Sequence, residues 1–346
     1  MAKNSKDQSV SDRHDLTIEL SAAIVAVSDE APKTLLVRDQ GGDSATHSQF
    51  GLPCGPFDPI GHRTLEEGLR KWVGEQSGIQ LGYAEQLYTF GDRFRDPQER
   101  KGGPRPVSVG YLALVRQTDL GASPDNADWS DWYRHFPWED WRSGPPAIVS
   151  QVIASELKAW AEAPDNRVDR SRRRERIDAT FGLGDLAWDN ERVLERYELL
   201  YEAGLIAETV ADGRERTNPA HVQVHTLTGA ALIKDHRRIM ATAMGRLRAK
   251  IKYRPVIFEL MPPNFTLYQL QRAAEALAGA RLHKQNFRRL VANEGLVEAT
   301  GQISSQTGGR PAELFRFRRD VVRERPASGV RLPVRVKGAG RGKSGH

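Results

Sequence analysis

Residues 264–295 read NFTLYQLQRAAEALAGARLHKQNFRRLVANEG, and residues 295–318 continue GLVEATGQISSQTGGRPAELFRFR. The first half of this stretch opens as a helix, with Asn264 or Thr266 as its N-cap and Gly279 as its stop. A second helix starts four residues later. Phe287, Leu290 and Val291 share its inward face, while Lys284, Gln285, Arg288 and Arg289 point outward. GLVEATG and AELFRFRR then alternate as strands around QISSQTGGRP. Helix, short turn, helix and two-stranded ribbon make a winged helix-turn-helix.

In that arrangement the second helix puts its N-terminal side chains against base edges in the major groove. Here those are His283, Lys284, Gln285 and Asn286, with Arg288 and Arg289 one turn on. Lys and Arg suit guanine, and Gln and Asn suit adenine. The bland alternative is a solvated basic helix face; the neighbouring ribbon favours DNA. Arg310, after Gly308 and Gly309, is placed to reach phosphate or the minor groove. Arg316 and Arg318 alternate with Phe315 and Phe317, which fits phosphate contact and plain strand alternation over a core equally well.

Toward the N-terminus, residues 17–28 and 34–38 read as a strand hairpin, and 86–91 and 107–115 as further strands. Between them lies TLEEGLRKWVGEQSGI, residues 64–79. Leu65, Leu69, Trp72 and Val73 form one apolar stripe, Thr64 and Glu67 match a capping box, and Gly78 ends the helix. This part is α/β. From 147 to about 212 the pattern is helical, and RVDRSRRRER within it reads as a solvated helix face or linker. Residues 230–252 read as one long amphipathic helix, ended by Tyr253-Arg254-Pro255. LLYEAGLIAETVADGRER echoes LVANEGLVEATGQISSQTGGR, which raises a second winged unit at 188–229 as a minor reading.

The stretch 64–79 is similar to the Nudix box, G-x5-E-x7-R-E-U-x-E-E-x-G-U, whose helix glutamates hold divalent metal. Aligned from Gly78-Ile79, the arginine slot holds Lys71, its neighbouring glutamate slot Trp72, and the last two Glu75 and Gln76; the upstream glutamate slot falls on Arg63. One helix carboxylate of three remains, beside a cation and an indole, which is a poor site for a hard cation. Leu52-Pro53-Cys54-Gly55 resembles the LPGG that precedes such a box.

With LYTFGDRFRDP, KDHRRI, RLRAKIKYRPVIFELMPPNFTLYQLQ, LHKQNFRRLV and TGGRPAELFRFRR, the chain resembles the Nudix-related transcriptional regulators, the NrtR-like family, and above all its longer NadQ-like branch. The resemblance implies a repressor of NAD biosynthesis genes. Its Nudix-like domain would sense NAD, ADP-ribose or ATP, and a homodimer would sit on a palindromic double-stranded operator. Such a nucleotide needs cations for its phosphates and an aromatic slot for its base. Arg70, Lys71, Arg93 and Arg95 are candidates for the phosphates, and Trp72, Phe90 and Phe94 for the base. Asp96 can accept from a ribose hydroxyl. Trp72 reads first as a core residue on its stripe. For Arg93 and Arg95, salt bridges with Asp92 or Asp96 are an equal alternative.

No catalytic residue, metal or tightly held cofactor is expected. The reading from another class is a divergent Nudix-type nucleoside diphosphate hydrolase whose C-terminal domain binds RNA or protein; the carboxylate count favours the regulator.

The whole-chain figures agree with a soluble, multidomain protein. Of 346 residues, 39% are hydrophobic and 28% charged, with a net charge of +6, and no run of 18 apolar residues exists. The single cysteine, Cys54, excludes an intrachain disulfide, so a cytoplasmic location is expected. The expected organisation is a disordered arm 1–14, a Nudix-like sensor domain 15–146, a helical insertion 147–229, a long helix and connector 230–262, a winged helix 263–325 and a basic tail 326–346.

Overall fold

Strand β1 (Leu16–Ser28) anchors the sheet because its alternate side chains are apolar on both faces. The computed structural model describes residues 16–28, 30–39, 49–116, 126–213, 219–304, 311–318 and 320. The arm 1–14, the tail 326–346 and the wing tip with Arg310 lie outside them. The remaining strands are β2 (Ala31–Arg38), β3 (Phe50–Gly51), β4 (Cys54–Pro56), β5 (Tyr83–Phe90), β6 (Arg105–Leu114), β7 (Ala127–Asp131), β8 (Val297–Ser304) and β9 (Ala312–Phe317). Helices are α1 (Leu65–Ser77), α2 (Pro97–Arg100), α3 (Trp132–His135), α4 (Ala154–Glu162), α5 (Arg167–Phe181), α6 (Val193–Glu202), α7 (Glu208–Ala211), α8 (Pro219–Leu227), α9 (His236–Ile251), α10 (Leu267–Ala278) and α11 (Lys284–Glu294).

The main sheet runs β3-β2-β1-β6-β5, with β4 added on β1 and β7 on β2. The hairpin β1–β2 is antiparallel, and β1 lies parallel to β6 from Leu16↔Arg105 to Val25↔Leu114. Period-2 alternation then splits the strand between two cores. Leu20, Ala22 and Ile24 pack with Leu69 and Val73 of α1 on one face. Ala23, Val25 and Val27 belong to a larger core on the other face, which takes in α6, α9 and α10. Helix α1 is capped as expected at Thr64, whose Oγ1 accepts from Glu67 N at 3.1 Å, and stops at a left-handed Gly78. Among the described residues the reciprocal capping-box bond from Glu67 is absent.

Two readings change and one holds. Helix α9 starts at His236, not at 230, and it is no amphipathic surface helix. Ile239, Met244 and Leu247 are buried, and so are His236, Arg237, Arg238 and Arg248. Its apolar stripe is therefore core. Among its described residues, 188–229 holds helices and no named strand, with Glu208–Ala211 as helix α7, so there is no second winged unit there. The basic stretch 167–176 is the body of α5. It stays at the surface, with Arg174 paired to Glu162, Arg176 to Glu202, and Arg173 4.0 Å from the Trp160 ring.

Candidate functional site

The C-terminal unit is built as its sequence indicates. Thr266 and Gln269 close a capping box at the start of α10, and Gly279 ends it with φ of 67°. The following turn is fixed by one buried carboxylate. Glu275 accepts from Leu282 N at 3.0 Å and Gln271 Nε2 at 2.9 Å, and from Arg272 and Arg281 at 2.7 and 2.9 Å. Helix α11 then buries Phe287 and Val291. Its outer face carries His283, Lys284, Gln285, Asn286, Arg288 and Arg289, all exposed. Among the described residues, Lys284, Gln285 and Arg288 have no side-chain partner, and Asn286 meets only Arg289, at 3.5 Å.

The wing β8–β9 is antiparallel, and Phe317 stacks on Phe258 with ring centroids 4.4 Å apart. Arg316 lies across the ribbon from Glu298 and pairs with it, so strand alternation explains this residue without DNA.

The end of α10 is held by the rest of the protein. A helix leaves its last carbonyls without helical partners. Here Tyr133 Oη donates to Ala276 O, Arg248 Nε to Leu277 O at 2.9 Å, Asn190 Nδ2 to Ala278 O at 3.2 Å, and Trp141 N to Gly279 O at 2.7 Å. A Cβ on Gly279 would collide with Glu139 O, so this close approach requires glycine. Behind it, the buried Glu139 pairs with both Arg196 of α6 and Arg248 of α9. Burial alone would raise the Glu139 carboxyl; the two guanidiniums outweigh it and hold it below the usual range. The surplus positive charge faces the negative end of the α10 dipole.

The residues chosen from sequence for a nucleotide do not form one pocket. Arg70 is engaged with Glu66 at 2.7 Å and with the carbonyls of Leu81 and Gly82. Lys71 is exposed on α1. The half-buried Trp72 lies on Gly55, where a Cβ would fall inside its ring, and its Nε1 donates to Pro56 O at 2.9 Å. Gln76 donates to Cys54 O at 2.7 Å and accepts from Cys54 N at 3.1 Å. Two glutamate slots of the Nudix pattern thus bind the backbone of β4. Phe90 is core and packs over Gly110. Arg93 lies over the Phe94 ring, 4.8 Å from its centroid.

Arg95 and Asp96 turn inward. Arg95 is fully buried and bidentate on Asp235, with Glu19 at 3.5 Å. Asp96 meets Lys234 at 3.1 Å, and Lys234 also binds Glu19. The salt-bridge alternative therefore holds for Arg95, with partners 140 and 76 residues away in sequence instead of its neighbours. Burial opposes ionisation of Glu19, but His236, Lys234 and Arg95 prevail and hold its carboxyl far below the ordinary range. Burial and the Glu19 charge push the Cys54 thiol up to about 12. Glu19, Cys54 and His236 can bring one donor atom each within 4.8 Å of one another. The cations on Glu19 already balance it, which makes this a structural charge knot.

The larger cavity is elsewhere. It measures about 960 Å³ and opens between the β2–β7 edge and α7–α8, with Phe50, Asp128, Arg134 and Leu227 among its walls. None of the residues chosen from sequence lines it; a smaller one of about 360 Å³ includes only Asp96. Asp128 and Arg134 had no signal in the sequence because β7 and α3 were not recognised as elements. Residues 236–238 did carry one: three consecutive polar positions, His236, Arg237 and Arg238, sweep about 200° of a helix, too wide for a solvent face.

Residues 257–317 match the NrtR DNA-binding winged helix domain. The C-terminal unit is similar in sequence to that domain over its whole helix-turn-helix and wing. Over 83 residues the chain is 43% identical to the ADPR responsive transcriptional repressor NtrR of Acinetobacter baylyi, a match spanning 24% of this chain and 33% of that protein. The solved structure of Shewanella oneidensis NrtR with a 27mer DNA superposes at a TM-score of 0.53, with 20% identity, over 92% of this chain and 99% of that one. A second crystal structure of Shewanella oneidensis NrtR gives 0.51 and 21%, over 88% of this chain and 95% of that one. The chain is thus similar to the NrtR regulators and shares their fold, a Nudix-like α/β domain followed by a winged helix.

Proposed function

We propose that this protein is a ligand-responsive transcriptional repressor of NAD biosynthesis genes. It senses an NAD-related adenine nucleotide in a Nudix-like domain that does no hydrolysis. The observation that carries the reading is the α11 face. On a domain of the NrtR DNA-binding type, six polar or basic side chains stand exposed at the start of a helix whose seat is locked by Glu275 and by the body. Protein that turns polar groups to solvent on a rigid, basic helix is built to meet phosphate and base edges.

A homodimer on a palindromic operator follows from the short reach of one recognition helix, with half-sites about 34–36 Å apart or a multiple of it. The absence of hydrolysis is supported by Trp72 and Gln76, which occupy metal-ligand slots and bond β4 instead. No described helix is long and apolar enough to cross a membrane, and a DNA-bound regulator works in the cytoplasm.

The test is a mobility shift on the upstream regions of NAD biosynthesis genes, with and without NAD, ADP-ribose and ATP. Specific retention that one of these nucleotides alters is expected. Binding no tighter than to random duplex, or retention that none of them changes, overturns the proposal.

A further inference from the structure

We infer that the cavity between the β2–β7 edge and α7–α8 is the effector site, and that it takes NAD in preference to ADP-ribose or ATP. The inference rests on the sensor reading above and adds the place and the charge of the ligand.

At about 960 Å³ the cavity lies at the upper end of small-molecule sites. Its walls are largely apolar. Leu36 and Phe50 come from the sheet side, and Val210, Val222 and Leu227 from the helical segment. Val222 and Leu227 are 51% and 44% exposed, and a ligand seated on this rim takes their apolar surface out of water.

The polar lining divides into two sets. Ser130 is bonded to His135, Glu208 to Arg237 and His225 to Gly204 O. Asp128 and Arg134 have no side-chain partner among the described residues, and both line the cavity. These two free charges are of opposite sign, and Glu208 is already matched by Arg237. His135 stays neutral, its pKa pushed down to about 4 by burial. The described lining is therefore close to net neutral. One guanidinium can hold one phosphate group, while Asp128 repels additional phosphate charge. ATP and ADP-ribose bring phosphate charge that nothing else offsets. NAD carries a pyridinium that offsets part of its own diphosphate, and Asp128 can face that cation or a ribose diol.

The cavity also touches the seat of the DNA-binding unit. Glu208, His135 O and Gly229 O hold Arg237 in the first turn of α9, and Arg248 near the other end of α9 holds Leu277 O of α10. A ligand packed on that lining acts on the helix that carries α10.

The experiment is calorimetric titration of the full chain with NAD, ADP-ribose and ATP, using Arg134→Ala and Leu227→Asp. Both side chains lie at the surface, so folding should survive, and a urea midpoint checks it. Lys71→Ala and Arg93→Ala, outside this cavity, are controls. NAD should bind the parent most tightly. Each cavity variant should weaken it roughly tenfold, Arg134→Ala by the scale of one lost hydrogen bond to a charged group and Leu227→Asp by setting a carboxylate beside the diphosphate, with ligand-free operator binding unchanged and the controls like the parent. If NAD binds both cavity variants as it binds the parent, or only the controls lose it, the cavity is not the site although the sensor reading stands. ATP or ADP-ribose binding more tightly than NAD overturns the choice of ligand. If the variants change the mass of the assembly but not NAD affinity, the rim is covered by a second copy and the inference fails. If no nucleotide binds the parent, the inference and the sensor reading fall together.

Discussion

Helices α1 and α11 are of similar length, each carries Lys, Arg and Gln on a polar face, and they use those faces in opposite ways. On α1 the polar groups bind their own chain: Arg70 reaches the carbonyls of Leu81 and Gly82, Trp72 that of Pro56, and Gln76 both backbone groups of Cys54. On α11, the exposed Lys284, Gln285 and Arg288 have no side-chain hydrogen bond or ion pair among the described residues. The irregular strands beside α1 leave backbone groups that must be satisfied, and the side chains in the former metal slots satisfy them. Beside α11 no such demand exists among the described residues, so its face remains available to another molecule.

The largest expected effect attacks the α1 half of this contrast. Trp72→Glu with Gln76→Glu restores carboxylates to the Nudix pattern. It removes an indole packed on Gly55 and two donors, and sets carboxylates against the Pro56 and Cys54 carbonyls. A loss of about 4 kcal/mol in unfolding free energy is expected. Neither this variant nor the parent should hydrolyse ADP-ribose with Mg²⁺ at rates on the order of 1 s⁻¹. Urea unfolding and a product assay check both; a stable, metal-dependent hydrolase would break the comparison.

Next comes acid sensitivity of the internally engaged region. His135 has an ordinary pKa of 6.5 and about 4 in the fold, because burial disfavours its cation. The unfolded chain then binds the proton more readily than the native one. Stability from this group is complete above pH 6.5 and drains as pH falls toward 4, by at most about 3 kcal/mol. Asp212 works in the opposite direction, since burial raises its carboxyl from 3.8 to about 6 and its contribution is lost as pH rises through that range. Comparing the pH slopes of the parent and His135→Gln isolates the histidine. Parallel slopes would show that it titrates freely.

On the α11 side, Gln285→Ala should cost roughly 1–3 kcal/mol on the operator and little on random duplex. Unfolding should stay within about 0.5 kcal/mol of the parent, because the side chain has no internal partner. A change in unfolding without a change in operator binding would mean that α11 resembles α1. The smallest effect belongs to Arg288→Ala. It should weaken binding to operator and random DNA alike and flatten log K against log salt by about 0.9. An unchanged slope would remove Arg288 from the phosphate contacts.

Much of the fold was legible because it rests on local chemistry. Thr64 and Gly78 around α1, Thr266 and Gly279 around α10, and the apolar alternation of β1 are short-range features. The face of α11 was legible for the same reason: Phe287 and Val291 point one way, so Lys284, Gln285 and Arg288 point the other. The candidate ligand site was not. Arg93, Arg95 and Asp96 look alike in sequence, yet Arg95 is buried on Asp235 and Asp96 on Lys234, while Arg93 remains on the surface. Strand β7 escaped notice because ADWSD has no alternation of its own and pairs only because β2 offers an edge.

The sequence by itself determined which segments become helix or strand where caps and periodicity agree, and which side chains of α11 must face out. Only the tertiary structure decided where charges far apart in the chain meet. Glu139 draws Arg196 and Arg248 from 57 and 109 residues away, and Glu208 and Arg237 meet beneath a cavity that no local pattern announces. A buried charge is held only by partners that folding delivers. That is why α9, which reads as an amphipathic helix with a polar face, is buried on both its apolar and its charged sides.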